Sequence, residues 1–220
     1  MNSAALLLIL AVLTYFIGSI PFGLIVGKAK GIDPRTAGTG NIGATNLGRL
    51  LGGKYFALVF TLDLLKSMIP MAIASAIVYH EAHDWLLYLL WLLIGFAAII
   101  GHMYSVFLKF KGGKGVATGA GVMLGLFPYY TLPAFLGIAT FLAVFFIWRY
   151  ISLASIAGAG SFPVYFVTVG LLRGWPVFEE QLPILLFAVL MGGLIIYKHR
   201  SNIARLRNGT EPRFVRQAGA

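Results

Sequence analysis

Most charged residues in this chain lie in segments between long apolar runs, and this pattern strongly limits the possible folds. The first apolar run, residues 4–26, contains no charged residue. Only 11% of the 220 residues are charged, whereas a soluble domain carries about 25%. So few charges cannot cover a water-facing surface. The sequence therefore predicts an all-α integral membrane protein that forms a single domain over residues 1–220.

The apolar runs predict about seven transmembrane helices, because each helix that crosses a bilayer needs roughly 20 residues. The predicted spans are 4–26, 55–79, 85–108, 116–127, 129–148, 152–170 and 182–197. The fourth is short, since about twelve helical residues cover only ~18 Å. A five-span arrangement, in which residues 116–148 are re-entrant, also crosses the membrane an odd number of times and stays an alternative.

The distribution of charge predicts the orientation. Most of the 17 Lys and Arg residues lie in segments 27–54, 109–115 and 198–220, whereas the loops 80–84 and 171–182 have an acidic excess. Because basic loops stay in the cytoplasm, we expect the N-terminus outside and the C-terminus in the cytoplasm. No Lys or Arg precedes the first run, so we expect a retained span rather than a cleaved signal peptide.

The segment 38–49 has a composition typical of an anion-binding loop. Glycines let backbone N–H groups turn toward a phosphate, and an arginine can bind two phosphate oxygens at once. The candidate ligands are Thr39, Gly40, Asn41, Gly43, Thr45, Asn46 and Arg49. Close helix packing is the alternative explanation of the glycines, but it does not explain the Asn, Thr and Arg residues.

A second candidate anion site begins at Gly101-His102 and ends at the lysine- and glycine-rich residues 109–115. Its candidate ligands are His102, Lys111, Gly112, Gly113 and Lys114. Lys114 is not followed by Ser or Thr, so this is not a Walker A loop and nucleotide hydrolysis is unsupported. Contact with lipid head groups is the alternative role for these lysines.

Two further polar segments are weaker candidates when taken alone. Ser152 and Ser155 begin the sixth predicted span, and serines are ordinary packing residues in membrane helices. His199 and Asn202 begin the basic C-terminal segment. All four polar segments fall on the same predicted face of the membrane, and this shared location strengthens the case for each as part of one binding site.

Asp63 and Lys66 are charged residues within the second predicted span. They lie three residues apart on one helical face and can form an ion pair. Charged residues inside a membrane are often functional, but a pair that neutralises itself favours a structural role here. His80 and His83 flank an acidic loop, where we expect solvated side chains.

Several catalytic devices are missing from the sequence. Cysteine is absent, which excludes disulfides and cysteine–metal sites. No Gly-x-Ser-x-Gly elbow, His-x-x-x-x-Asp pair or His-Glu-x-x-His motif occurs. We therefore expect a reaction that uses no metal, no cofactor and no covalent intermediate.

Over nearly its whole length, the chain resembles the bacterial membrane glycerol-3-phosphate acyltransferases that use acyl-phosphate as donor. The resemblance is carried by Gly38-Thr39-Gly40-Asn41-Ile42-Gly43-Ala44-Thr45-Asn46 with Arg49, Gly101-His102, Phe110-Lys111-Gly112-Gly113-Lys114-Gly115-Val116-Ala117-Thr118, Arg149-Tyr150-Ile151-Ser152-Leu153-Ala154-Ser155, and His199-Arg200 with Asn202-Ile203 and Arg205-Leu206. Two positions depart from the family pattern. Thr39 stands where a serine is common and keeps the hydroxyl, and Ser105 replaces a common proline.

The resemblance implies a seven-helix fold and transfer of an acyl group from acyl-phosphate to the 1-hydroxyl of sn-glycerol 3-phosphate. The products are lysophosphatidic acid and inorganic phosphate, in the first step of phospholipid synthesis. It also implies a site that faces the cytoplasm at the bacterial inner membrane. A soluble acyl-phosphate synthase is a possible partner, and no nucleic acid is expected.

The implied chemistry fits the candidate residues, since both substrates bring a phosphate. We expect His199, Arg49, Lys114 and Lys111 to act in catalysis, and the remaining candidates to bind substrate. The acceptor proton goes either to His199 as a general base or to a substrate phosphate, whose second pKa is near ~6. We favour the substrate phosphate.

A non-enzymatic alternative is an organic-phosphate transporter or a protein that binds lipid head groups. It explains the cationic segments but not their collection on one face, because transporters hold their ligands near the membrane midplane. An acyltransferase that depends on acyl-CoA is a second alternative, but the chain lacks the His–Asp pair of that class.

Overall fold

The computed structural model describes residues 2–79 and 85–214, and no strand occurs among them. The residues predicted to form the acidic loop 80–84, including His80 and His83, lie outside the described residues. The helices are α1 (Ser3–Ser19), α2 (Phe22–Ala29), α3 (Ala44–Leu51), α4 (Gly53–Tyr79), α5 (Trp85–Met103), a short 3-10 turn (Val106–Leu108), α6 (Val116–Gly125), α7 (Thr131–Trp148), α8 (Ile151–Leu172), α9 (Leu182–Lys198) and α10 (Arg200–Arg207).

Several of these helices suit a bilayer. Among the described residues, five helical segments are long and apolar enough to cross one: Ser3–Ala29, Gly53–Tyr79, Trp85–Leu108, Thr131–Trp148 and Ile151–Leu172. A sixth candidate consists of α9 and α10, which meet at a bend of 57°. Large apolar side chains such as Val12, Phe146 and Leu186 are exposed on the outside of the bundle. The prediction of an all-α chain with several apolar spans is therefore confirmed for the described residues.

The fourth predicted span is the short apolar helix α6, which has ten residues. At 1.5 Å per residue it is about 15 Å long, roughly half the thickness of the hydrocarbon core. It packs closely against α4: a Cβ atom on Gly121 would lie 2.2 Å from the carbonyl oxygen of Leu64. The bundle thus holds the short helix on its inside, with Gly121 and Val122 buried.

The core is centred on α5. Trp91, Ile94 and Ile99 of this helix are almost fully buried. Helix α1 lies against it at backbone distance, because a Cβ atom on Gly101 would lie 2.4 Å from the carbonyl oxygen of Tyr15. Small residues at helix contacts permit this approach in membranes.

Two short helices were not predicted from the sequence. Helix α3 forms within the segment expected to be a glycine-rich loop, beginning after Gly43. It forms because Leu47 packs into an apolar cluster with Val59 of α4. Helix α10 follows His199, where the sequence suggested only a basic tail.

Candidate active site

A polar cavity of about 90 Å³ gathers residues from all four polar segments of the sequence. The cavity is lined by twelve of the site residues that the sequence predicted: Thr39, Asn41, Gly43, Thr45, Asn46, Arg49, His102, Lys114, Ser152, Ser155, His199 and Asn202. Gly40, Lys111, Gly112 and Gly113 are not part of the lining. Asp63 and Glu211 line it as well, although the sequence did not mark either as a site residue.

Asn46 organises the loop that borders the cavity. Its Oδ1 accepts a hydrogen bond from the amide of Thr39, and its Nδ2 lies within 3.0 Å of the carbonyl oxygens of Pro34, Ala37 and Asn41. The side chain is 1% exposed. Since the Nδ2 donors are already used within the loop, Asn46 shapes the loop, and its contact with substrate stays a prediction.

The start of α3 presents backbone donors beside the cavity. Asn41 accepts a hydrogen bond at 2.8 Å from the amide of Gly43, the residue before the helix. The first amides of an α-helix have no intrahelical partner, and the helix dipole favours an anion there. Thr45, in this first turn, and Thr39 add hydroxyl groups to the lining.

Arg49 brings a cation from α3 into the cavity. Its Nη2 donates to the carbonyl oxygen of Pro212 at 2.9 Å, which ties the C-terminal segment to α3. Its Nε is buried and has no hydrogen-bond partner among the described residues. Burial lowers the pKa of Arg49, but a guanidinium stays charged in proteins. A buried donor without a partner is costly, so this group suits an anionic ligand.

Lys114 is the cation that the second segment contributes. Its Nζ donates a hydrogen bond to Oδ1 of Asn202 in α10. Burial lowers the pKa of Lys114 to about 8. Lys111, in contrast, is exposed and does not line the cavity. The structure thus separates two lysines that the sequence grouped together.

Gly112 and Gly113 use their amides elsewhere. The amide of Gly112 donates to the carbonyl oxygen of Met103, and that of Gly113 donates to the carbonyl oxygen of His102, both at 3.1 Å. A Cβ atom on Gly113 would lie 2.2 Å from Nε2 of His102. These glycines allow the loop to pack against α5, and because both amides already donate to carbonyl oxygens, substrate binding by them stays a prediction.

Glu211 is one of the two acidic lining residues of the candidate site that sequence reasoning missed. Its carboxylate accepts hydrogen bonds at 2.7 Å from Ser152 Oγ, Asn202 Nδ2 and Arg205 Nε. Although burial alone would raise the pKa of this carboxyl, the three hydrogen bonds hold it below its usual value. A single acidic residue within the basic C-terminal segment was the available signal.

His199 lies at the bend between α9 and α10 and is buried. Its Nδ1 is 2.7 Å from the carbonyl oxygen of Ile195. Because a carbonyl only accepts, Nδ1 carries the proton, and Nε2 of the neutral ring is an acceptor. Ser155 donates its hydroxyl proton to the carbonyl oxygen of Ile151 at 2.8 Å.

Asp63 and Lys66 form the ion pair expected from their spacing, with 2.7 Å between Nζ and Oδ1. The Nζ of Lys66 is also 3.0 Å from Nδ1 of His102. Asp63 and His102 both line the polar cavity. The pair is therefore in contact with the candidate site, which the sequence did not indicate.

The polar cavity adjoins an apolar cavity of about 330 Å³. The two share Phe56, Phe60, Val116, Phe141 and Ser155 in their linings. The apolar cavity is bordered further along by side chains from α6, α7, α8 and α9, among them Met123, Leu142, Phe162 and Met191. A ligand with an anionic head and an apolar chain would fit across both.

A helical membrane bundle in which a polar cavity containing Arg49 and Lys114 joins an apolar one is typical of a class of protein that handles anionic lipids or their precursors. Comparison with known proteins narrows this class. The family model described as glycerol-3-phosphate acyltransferase matches residues 8–209. The chain therefore belongs to the glycerol-3-phosphate acyltransferase family, and the expectation of an acyltransferase is confirmed.

Curated relatives and solved structures agree with this assignment. A glycerol-3-phosphate acyltransferase of Aquifex aeolicus is 45% identical over 94% of this chain and 98% of its own length. One of Geotalea daltonii is 41% identical over 95% of this chain and 98% of its own length. The crystal structure of PlsY, an integral membrane glycerol 3-phosphate acyltransferase, in its glycerol 3-phosphate form superposes with a TM-score of 0.78 at 42% identity. The alignment covers 97% of this chain and 96% of that one. The lysophosphatidic acid form gives 0.77.

Proposed function

We propose that this protein transfers a fatty acyl group from acyl-phosphate to the 1-hydroxyl of sn-glycerol 3-phosphate, giving lysophosphatidic acid and inorganic phosphate. The observation that carries this proposal is the junction of the polar and apolar cavities at Phe56, Phe60, Val116, Phe141 and Ser155. The acyl chain occupies the apolar cavity, and the two phosphate groups occupy the polar one. The carbonyl carbon then lies at the junction.

Arg49, Lys114 and the first amides of α3 bind the phosphates in this proposal. The two cations neutralise anions that would otherwise repel each other, and they stabilise the oxyanion that develops on the carbonyl. Groups fixed in this way act strongly in a site that excludes water. Asn202 holds Lys114, and Glu211 in turn holds Asn202 and Ser152. Lys111, being exposed, attracts anionic substrates to the site instead of contacting them in it.

The reaction proceeds without a covalent enzyme intermediate. The 1-hydroxyl oxygen attacks the carbonyl carbon, the carbon–oxygen bond to phosphate breaks, and the phosphate leaves. The hydroxyl proton passes to a substrate phosphate, while His199 positions the substrates. The free acceptor nitrogen Nε2 keeps His199 available as the alternative base. Comparison of His199→Gln with His199→Asn tests this: retention of most of kcat in either variant excludes His199 as the base.

We further propose seven crossings, with the N-terminus outside and the C-terminus in the cytoplasm of a bacterial inner membrane. The five long segments, the bent pair α9–α10 and the short α6 would together supply them. This orientation places the polar cavity toward the cytoplasm, within reach of soluble glycerol 3-phosphate. A soluble acyl-phosphate synthase could deliver the donor to the same basic face.

Phosphate release tests the proposed function. Purified protein in lipid vesicles, given palmitoyl-phosphate and glycerol 3-phosphate, should release phosphate only when both substrates are present. Arg49→Ala and Lys114→Ala should each lower kcat/KM roughly 100-fold or more, since each removes about 3 kcal/mol of transition-state stabilisation. Lys54→Ala is the matched control, because Lys54 is exposed and outside the cavity. If folded protein releases no phosphate and instead carries glycerol 3-phosphate into sealed vesicles, the protein is a transporter.

A further inference from the structure

Lys66 makes three polar contacts inside the helix bundle. Its Nζ is 2.7 Å from Oδ1 of Asp63, 2.9 Å from the carbonyl oxygen of Ile20 and 3.0 Å from Nδ1 of His102. Ile20 lies at the break between α1 and α2, where Pro21 supplies no N–H. Asp63, Lys66 and His102 are each no more than 6% exposed. Three separate helical regions therefore meet at one buried ammonium group.

The contact between Nζ of Lys66 and Nδ1 of His102, at 3.0 Å, determines the protonation of His102. A lysine ammonium has N–H donors and no acceptor, and Asp63 lies 2.7 Å from this ammonium as its counter-ion. Nδ1 of His102 must accept one of these N–H groups, so it carries a lone pair rather than a proton. The distance from Nδ1 to Oδ1 of Asp63 is 3.6 Å, too long for a hydrogen bond. The imidazole is consequently neutral, with its proton on Nε2.

That Nε2–H group has no partner among residues 2–79 and 85–214. The ring lines the same polar cavity as Lys114, and only a glycine at position 113 leaves room for Nε2, since a Cβ atom there would be 2.2 Å away. His102 is thus a nearly buried side chain that lines the cavity and whose Nε2–H is not used by the described residues.

We propose that Asp63 and Lys66 hold His102 in its Nε2–H tautomer and that this N–H donates a hydrogen bond to an oxygen of the bound substrate. The inference rests on the proposed function, because it requires the polar cavity to be the acyl-transfer site. His102 is then a substrate-contacting residue, and Asp63 and Lys66 are positioning residues. A neutral donor adds a hydrogen bond without adding another buried charge beside Arg49 and Lys114.

The tautomer can be measured without any assay of activity. Ring-nitrogen NMR of isotope-labelled histidine in lipid nanodiscs near neutral pH, with His102→Gln to assign the signal, should show Nδ1 unprotonated and Nε2 protonated. In Asp63→Leu/Lys66→Met, which removes both charges of the pair together, this single tautomer should give way to a mixture. A proton on Nδ1 of the wild type would overturn the inference.

A pair of substitutions tests the contact with substrate. A glutamine amide nitrogen reaches the position of Nε2, whereas an asparagine amide reaches only that of Nδ1. His102→Asn should therefore lower kcat/KM roughly 30-fold or more, while His102→Gln should stay within about tenfold of the wild type, as expected for loss or retention of one hydrogen bond to a charged group. Asp63→Leu/Lys66→Met should lower kcat/KM while remaining monodisperse and folded.

The outcomes separate this inference from the proposed function. If the wild type releases phosphate and the two His102 variants lose activity equally, the contact with substrate is wrong and the acyltransferase function stands. If the wild type releases no phosphate when it is given palmitoyl-phosphate and glycerol 3-phosphate, the proposed function and the substrate contact fail together. The NMR measurement still decides the tautomer in that case.

Discussion

Lys114 and Asn202 are 88 residues apart in the sequence, yet the Nζ of Lys114 donates a hydrogen bond to Oδ1 of Asn202 inside the polar cavity. Asn202 in turn donates to Glu211, which also accepts from Ser152. The loop before α6, the start of α8, α10 and the C-terminal segment are therefore joined through one chain of hydrogen bonds. Any change at one member of this hydrogen-bonded chain is expected to reach Lys114, the cation proposed to bind phosphate.

The lowered pKa of Lys114 predicts a loss of activity in mild alkali. Because burial brings this pKa down to about 8, the ammonium loses its proton, and its attraction for phosphate, as the pH rises through that value. The kcat/KM profile, which reports the free enzyme, should fall above about pH 8. Lys114→Arg should move the fall to higher pH, because a guanidinium does not titrate there. An unchanged profile in the arginine variant would show that another group controls it.

Replacing Glu211 should weaken the folded state as well as the site. Glu211→Ala leaves the buried Ser152 and Asn202 without their common acceptor and removes the ion pair with Arg205. Buried groups without partners cost about 1–3 kcal/mol each. We expect a lower Tm in detergent and a lower kcat. Glu179→Ala serves as the control, because Glu179 is exposed. Equal melting temperatures for the two variants would contradict the bridging role.

Adding a single methyl group at Gly113 should disturb the site by displacing His102. The new Cβ would lie 2.2 Å from Nε2 of that ring, so either the imidazole or the loop with Lys114 must move. We expect Gly113→Ala to lower kcat/KM roughly tenfold or more, since small displacements in a site are costly. Gly193→Ala is the matched control, because nothing lies within 4 Å of its added Cβ. Similar activities for both variants would argue against the close packing.

Filling the apolar cavity should discriminate between acyl chains. Ala159 of α8 lines this cavity. In Ala159→Phe, the added ring would occupy space that the acyl chain needs. The variant should lose more activity with palmitoyl-phosphate than with a short-chain acyl-phosphate, as measured by kcat/KM for each donor. Val189→Phe adds the same bulk at an exposed position of α9 and should affect neither. A uniform loss across chain lengths would place the acyl group elsewhere.

The predicted spans and the helices differ mainly where short polar segments meet the bundle. The long apolar runs could be predicted because each must satisfy its own backbone hydrogen bonds in a bilayer. Helix α3 could not, since its local sequence is rich in glycine and polar residues, and it forms through the contact of Leu47 with Val59. Packing between distant segments overrides local preference there.

In the candidate site, too, some features could be predicted from the sequence and others could not. The residue types of segment 38–49 and of Lys114, His199 and Asn202 predicted an anion site, because phosphate recognition needs cations and donors of this kind. The sequence did not distinguish Lys114 from Lys111, or the substrate-facing role of Asn46 from its loop-organising one. Those distinctions depend on which side chain is buried and which donors are already used.

The membrane class, the number and approximate bounds of the apolar runs, the family resemblance and the chemical character of the site could all be predicted from the sequence. These follow from composition and local order along the chain. Three features became visible only in the folded protein: Glu211 accepts hydrogen bonds from Ser152 and Asn202, Lys66 contacts His102, and the polar cavity joins an apolar one. Each of these contacts joins residues brought together by helix packing, and helix packing depends on the shape of every side chain at the interface.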